Sequence, residues 1–121
     1  MRILAIDDTK SLRDLLVATL KQAGHDVVEA ADGKEGLDQL SACLPHAVIS
    51  DLNMPNCDGI EFTRSARLRP EGAGIPIIIL TTEGDPAIKA EGRKAGATAW
   101  MIKPFNPPIL LGLLDRLQGQ A

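Results

Sequence analysis

Four short apolar runs in this chain each stop at a carboxylate, a hydroxyl or an ammonium, and this repetition constrains the fold more than any other feature. Arg2-Ile3-Leu4-Ala5-Ile6 runs into Asp7-Asp8, and His46-Ala47-Val48-Ile49-Ser50 runs into Asp51. Ile75-Pro76-Ile77-Ile78-Ile79-Leu80 runs into Thr81, and Ala99-Trp100-Met101-Ile102 runs into Lys103. The run ending at Thr81, nearly all Ile and Leu, suits a strand covered on both faces by helices. If the four runs are parallel strands of one sheet, their polar ends gather at the carboxyl edge, where open α/β sheets bind ligands. Three carboxylates, a hydroxyl and an ammonium in one crevice suit a divalent cation and a phosphoryl group.

The segments between the runs carry helical spacing, so strand and helix alternate five times, the pattern of an α/β domain with a parallel sheet. The first helix is expected to bury Leu12, Leu15, Leu16, Thr19, Leu20 and Ala23, with Ser11 and Asp14 as a loose capping box and Gly24 as its left-handed stop. Val27-Val28-Glu29-Ala30 reads as a short second strand before the turn Asp32-Gly33. The second helix turns Leu37 and Leu40 inward and ends near Pro45; the third runs from near Gly59 to before Pro70. Pro76 fits only near the start of the fourth strand. Asp85-Pro86 and Asn106-Pro107 each place a capping side chain before a proline at the first helical position, and Gly96 closes the fourth helix. Ile109, Leu110, Leu113, Leu114 and Leu117 form the apolar stripe of a fifth helix, with the chain expected to end three or four residues beyond it.

With 121 residues, one domain over positions 1–121 with no output domain is expected. A net charge of −3 leaves no basic excess for nucleic-acid phosphates. No segment has the roughly 18 uninterrupted apolar residues of a membrane span, and the start lacks signal-peptide regions, so a cytoplasmic location is expected. Cys43 and Cys57 lack CxxC spacing and read as reduced, packed thiols. His25 and His46 have no ligand-like neighbours in sequence.

Adjacent acids after a buried strand repel each other unless a cation compensates them. Mg2+ takes oxygen ligands and keeps several waters, so it needs only one or two carboxylates and a phosphate oxygen. Asp8 and Asp51 are candidate ligands, with Asp7 acting through a water. Asp51 is a candidate nucleophile, because carboxylates form aspartyl phosphates and need no general base when ionised. Lys103 would pair with phosphoryl oxygens or with the carboxylate, Thr81 would donate a hydroxyl, and the N–H groups of Leu52, Asn53 and Thr82 would complete the cradle. Singly, Asp7-Asp8 also reads as a helix-start pair, Thr81 as a turn residue and Lys103 as a solvated lysine; their joint occurrence at successive strand ends favours the site.

The sequences Asp7-Asp8, Ser50-Asp51-Leu52-Asn53-Met54-Pro55, Asp58-Gly59, Leu80-Thr81-Thr82-Glu83 and Lys103-Pro104-Phe105 resemble the receiver domains of two-component response regulators, over essentially the whole chain. Thr81-Thr82-Glu83 and Gly96-Ala97-Thr98-Ala99-Trp100 look most like a stand-alone chemotaxis regulator of the CheY type. The resemblance implies a flavodoxin-like, doubly wound (βα)5 fold with strand order 2-1-3-4-5; spacing alone does not select that order. It implies that Asp51 accepts phosphate from a sensor histidine kinase, and that Asp7, Asp8, Asp51 and the Asn53 carbonyl hold Mg2+. Thr81 and Lys103 would bind the phosphoryl group, and the Lys103-Pro104 bond would be cis. Such a chain is not an enzyme beyond its own phosphorylation and dephosphorylation. It would work as a monomer, switching a surface of the fourth helix, fifth strand and fifth helix read by a flagellar motor switch protein or another protein target.

The chain departs from that pattern in two places. Thr82 stands where the family has a smaller Ala or Gly, which narrows access to the site. Trp100 stands at the switch position, where Tyr or Phe is usual, and reads either as a rotamer switch coupled to Thr81 or as an indole buried in one rotamer. Asn53 and Glu83 flank the phosphoryl position with polar groups that can orient a water, so dephosphorylation within seconds to minutes is expected. Rival readings are a phosphorelay intermediate or phosphate sink, a metal-dependent phosphatase using Asp51, and an FMN-binding electron carrier. The last is disfavoured because Asp7-Asp8 offers carboxylates where an FMN phosphate needs uncharged donors.

Overall fold

A computed structural model describes residues 1–118. Among these, five strands alternate with five helices: β1 (Arg2–Ile6), α1 (Lys10–Gln22), β2 (Asp26–Ala30), α2 (Gly33–Cys43), β3 (Ala47–Ser50), α3 (Gly59–Arg67), β4 (Ile77–Thr81), α4 (Pro86–Ala95), β5 (Ala99–Ile102) and α5 (Pro107–Gln118), with a 3-10 turn at Pro70–Gly72. The strands are all parallel in the order β2-β1-β3-β4-β5, the expected doubly wound order. The short tail expected beyond the fifth helix falls at 119–121, outside the described residues. No helix among the described residues is long and apolar enough to cross a membrane.

Alternation along each strand builds a core on both faces of the sheet. Ile3, Ala5, Ile49, Ile78 and Leu80 face α1 and α5, where they meet Leu16, Leu20, Leu110 and Leu114. Leu4, Ile6, Val48 and Ile77 face α2 and α3, where they meet Leu40, Phe62 and Ala66. This two-sided burial explains why β1, β3 and β4 read as continuous apolar runs with no polar alternation.

The helix ends follow their capping chemistry. Asp32 and Asp58 accept the Glu35 and Glu61 N–H groups, both at 2.8 Å. Asp85 accepts the Ala87 N–H at 2.9 Å and Asn106 the Ile109 N–H at 3.2 Å. Gly24 and Gly96 take positive φ (93° and 111°), as left-handed stops require.

The first helix differs from expectation in two ways. Its N-cap is Thr9, which makes no side-chain cap bond; Ser11 and Asp14 form no capping box, and the Asp14 carboxylate instead takes Lys10 Nζ at 2.8 Å. Its buried residues are Leu16, Val17 and Leu20, whereas Leu12 and Leu15 are 43% and 57% exposed. On a 100°-per-residue wheel the buried face is rotated by roughly 75° from the leucine-rich stripe. In α5 the core positions Leu110 and Leu114 are fully buried, but Ile109 is exposed.

Candidate functional site

Three of the five polar strand-end residues are each fixed by a backbone bond that prolongs the sheet ladder past the strand. Asp7 N–H donates to the Ala30 carbonyl (3.1 Å), Asp51 N–H to Ile6 (2.8 Å) and Lys103 N–H to Thr81 (2.8 Å). The Lys103-Pro104 peptide is cis. These constraints bring the three acids into one cluster: carboxylate oxygens of Asp7, Asp8 and Asp51 lie within 4.8 Å of one another. Asp7 and Asp51 are buried and Asp8 is exposed at the mouth.

Lys103 crosses the cluster. Its Nζ lies 3.0 Å from Asp7 Oδ2 and 3.4 Å from Asp51 Oδ2, with the side chain 13% exposed. Asp7 Oδ1 accepts the Thr9 N–H at 2.9 Å, and Asp51 Oδ1 accepts the Leu52 N–H at 2.7 Å. Both oxygens of Asp7 are therefore already engaged. Burial pushes the Asp51 carboxyl above its ordinary range; Lys103 opposes the shift and Asp7 adds to it. Three clustered carboxylates facing one ammonium leave an excess of negative charge, and an all-oxygen donor set of this kind fits a hard divalent cation.

A second chain of contacts leads away from the cluster. The Thr81 hydroxyl, 1% exposed, accepts the Glu83 N–H at 3.2 Å. The Glu83 carbonyl in turn accepts the Trp100 indole N–H at 2.9 Å. The indole packs beside Leu52, Ile60, Ile79 and Ala95. It needs the glycine at 92, because a Cβ there would stand 2.7 Å from indole Cζ3. Gly92→Ala is therefore expected to displace the indole. Trp100 is the chain's one tryptophan, so its emission should shift to the red and become more accessible to iodide; an unchanged spectrum would contradict this packing.

Asn53 is exposed beside the cluster, and Thr82 is exposed next to Thr81. Two supporting residues escape a strand-end reading. Arg13 Nη1 donates to the Asp7 carbonyl at 2.7 Å while its Nε meets Glu29 at 3.0 Å, fixing the turn that carries Asp7 and Asp8. Its signal was a cation in the first turn of a helix, where the macrodipole favours acids. Gly59, at the start of α3, lies against the Asp51 carbonyl, with no room for a Cβ between them; its sequence signal was its place in the Asp58-Gly59 motif of the receiver resemblance.

Comparison with known proteins places the chain among doubly wound signalling domains. The profile of the response regulator receiver domain matches residues 3–115, and the chain belongs to that family. It is 36% identical to a chemotaxis protein CheY homolog of Campylobacter jejuni, with 98% of this chain and 93% of that protein covered. The structure of Vibrio cholerae chemotaxis protein CheY4 superposes with a TM-score of 0.91 at 43% identity, covering 96% of this chain and 97% of that one. The receiver domain of the Pseudomonas aeruginosa sensor histidine kinase PA1611, solved with magnesium in its active-site cleft, gives 0.91 at 28% identity, covering 98% and 97%.

Proposed function

We propose that this chain is a phosphorylation switch of the CheY type, in which Asp51 takes a phosphoryl group from a phosphohistidine on a sensor kinase. The observation that carries this reading is the buried Asp51 carboxylate held between Lys103 and two further carboxylates at the end of β3. An Asp51 oxygen attacks phosphorus, the P–N bond breaks, and the imidazole leaves with the electron pair and takes up a proton. The Leu52 N–H fixes the carboxylate rotamer, and Lys103 stands ready to pair with phosphoryl oxygen. Asp8, Asp51 and the Asn53 carbonyl would hold Mg2+, with Asp7, whose two oxygens are occupied, acting through a water. Bound there, the ion neutralises charge on the carboxylates and the transferring group.

Phosphorylation adds roughly −1.5 to −2 charges beside Lys103 and Thr81. A shift of the Thr81 hydroxyl toward a phosphoryl oxygen would alter its bond to the Glu83 N–H and so the carbonyl that holds Trp100. The response is a shift between pre-existing arrangements of the face formed by α4, β5 and α5. That face exposes Ile102 and Ile109, and the shallow groove beside Trp100 is lined by Lys89 and Arg93. A flagellar motor switch protein is the target this reading favours, given the chemotaxis relatives.

Mixing the protein with a phosphorylated kinase and with motor components, with and without a phosphoryl mimic, tests the assignment. Phosphorylation-dependent binding to the motor component supports it, and binding indifferent to the mimic refutes the switch. In this reading the polar residues Asn53 and Glu83 flank the phosphoryl group, so the aspartyl phosphate is expected to last seconds to minutes in Mg2+. A lifetime of hours would contradict their role in orienting water.

A further inference from the structure

We propose that Arg13 is a positioning residue of the cation site, setting the Asp7–Asp8 peptide so that the Asp8 carboxylate meets a divalent ion. The inference rests on the reading of Asp7, Asp8 and Asp51 as a cation cluster and adds to it the residue that places Asp8.

Two of the three clustered acids have their carboxylates tied. Asp7 takes the Thr9 N–H and Lys103 Nζ, and Asp51 takes the Leu52 N–H and Lys103 Nζ. Asp8 is exposed, and none of the ion pairs among the described residues includes its carboxylate. Its place is therefore set by the backbone that carries it. That backbone is held on both sides of Asp7, whose N–H donates to the Ala30 carbonyl at 3.1 Å and whose carbonyl accepts Arg13 Nη1 at 2.7 Å. The second of these bonds lies in the peptide that joins Asp7 to Asp8. Because a peptide is planar, a fixed carbonyl fixes the direction in which Asp8 leaves β1.

Arg13 is itself braced. Its Nε meets Glu29 Oε1 at the end of β2 at 3.0 Å, with the Arg13 side chain 15% exposed. A planar guanidinium serves two acceptors at once from one rigid fork. Its charge works in the opposite direction. A cation beside three carboxylates competes with a divalent ion, and a cation in the first turn of α1 opposes the helix macrodipole. The Glu29 carboxylate offsets that charge, so what Arg13 supplies to the site is geometry.

Positioning and charge predict opposite signs for Arg13→Met, which keeps an apolar stem and removes the fork. Binding of Mn2+, a divalent ion suited to the same oxygen ligands, is read on the unphosphorylated chain from the electron paramagnetic resonance of the free ion. Positioning predicts that Mn2+ affinity falls about tenfold in the variant, the lower end for a group that orients a metal ligand. The Mg2+ concentration that half-saturates labelling by acetyl phosphate should rise by a similar factor, with the slowing largest at low Mg2+ and shrinking toward saturation. The metal-free variant should still melt cooperatively. If it does not, Arg13→Lys carries the test, with a loss of about threefold expected because one ammonium cannot reproduce the fork. Unchanged or tighter Mn2+ binding, or a slowing that is equal at every Mg2+ concentration, overturns the inference. A natural chain that binds Mn2+ but takes no label refutes the phosphoacceptor role of Asp51 and leaves the placement of Asp8 standing. A natural chain that binds no Mn2+ overturns the cation site, and this inference with it.

Discussion

Asp51→Asn is expected to lose phosphoryl labelling by acyl phosphates by roughly three orders of magnitude or more, the scale seen when a nucleophile is removed. The amide keeps the shape of the side chain and its hydrogen bond to the Leu52 N–H, but it lacks the charged oxygen that attacks phosphorus. The same substitution is expected to stabilise the metal-free protein near neutral pH. Burial, reinforced by Asp7 and opposed by Lys103, raises the folded-state pKa of Asp51. The folded state therefore holds this proton to higher pH than the unfolded state does. The group's stabilising contribution is complete below the ordinary carboxylate range and is lost as pH rises through the raised value. Asn does not titrate, so the gain in Tm should be largest near neutrality and shrink toward acid pH. Lys103 keeps a partner in the variant, since Asp7 holds it at 3.0 Å. A Tm difference independent of pH would show that Asp51 is not strained by its surroundings.

Gly59→Ala is expected to cost about 3 kcal/mol, the upper range for forcing an extra methyl into a packed site. The new Cβ would stand 2.3 Å from the Asp51 carbonyl oxygen and 3.1 Å from Leu52 Cα. Both are backbone atoms, so no rotamer change relieves the clash. Relief requires α3 to move away from the end of β3, which also moves the acceptor, so labelling should slow along with the loss of stability. Gly112→Ala makes the opposite prediction. Its Cβ would meet nothing within 4 Å, and α5 should gain about 0.5–1 kcal/mol from reduced backbone entropy. Denaturant midpoints of the two variants should fall on opposite sides of the natural chain's.

The strand ends were legible because a parallel sheet imposes a simple code: apolar on both faces, then polar where the strand leaves the core. That code placed Asp7, Asp51, Thr81 and Lys103 at one edge, where the ladder bonds of Asp7, Asp51 and Lys103 now fix them. It said nothing of α1, where leucines at 12, 15, 16 and 20 satisfy helical spacing over a wider arc than the core covers. Val17 lies inside and Leu12 and Leu15 outside because the sheet decides which part of the arc is buried, and periodicity alone cannot. The supposed capping box failed for a related reason: the turn before α1 is organised by Asp7, whose carboxylate takes the Thr9 N–H. Side-chain reach across the fold was equally hidden. The contact of Trp100 with Glu83 spans 17 residues and that of Lys103 with Asp7 spans 96.

The most direct test of the central claim is to incubate the chain with acetyl phosphate and Mg2+, then read intact mass and map the modified peptide. The account predicts one phosphoryl group per chain, carried on Asp51, absent in EDTA and absent in Asp51→Asn. Phosphoryl groups on another residue, labelling that survives EDTA, or steady release of many phosphates per chain from varied monoesters would contradict it.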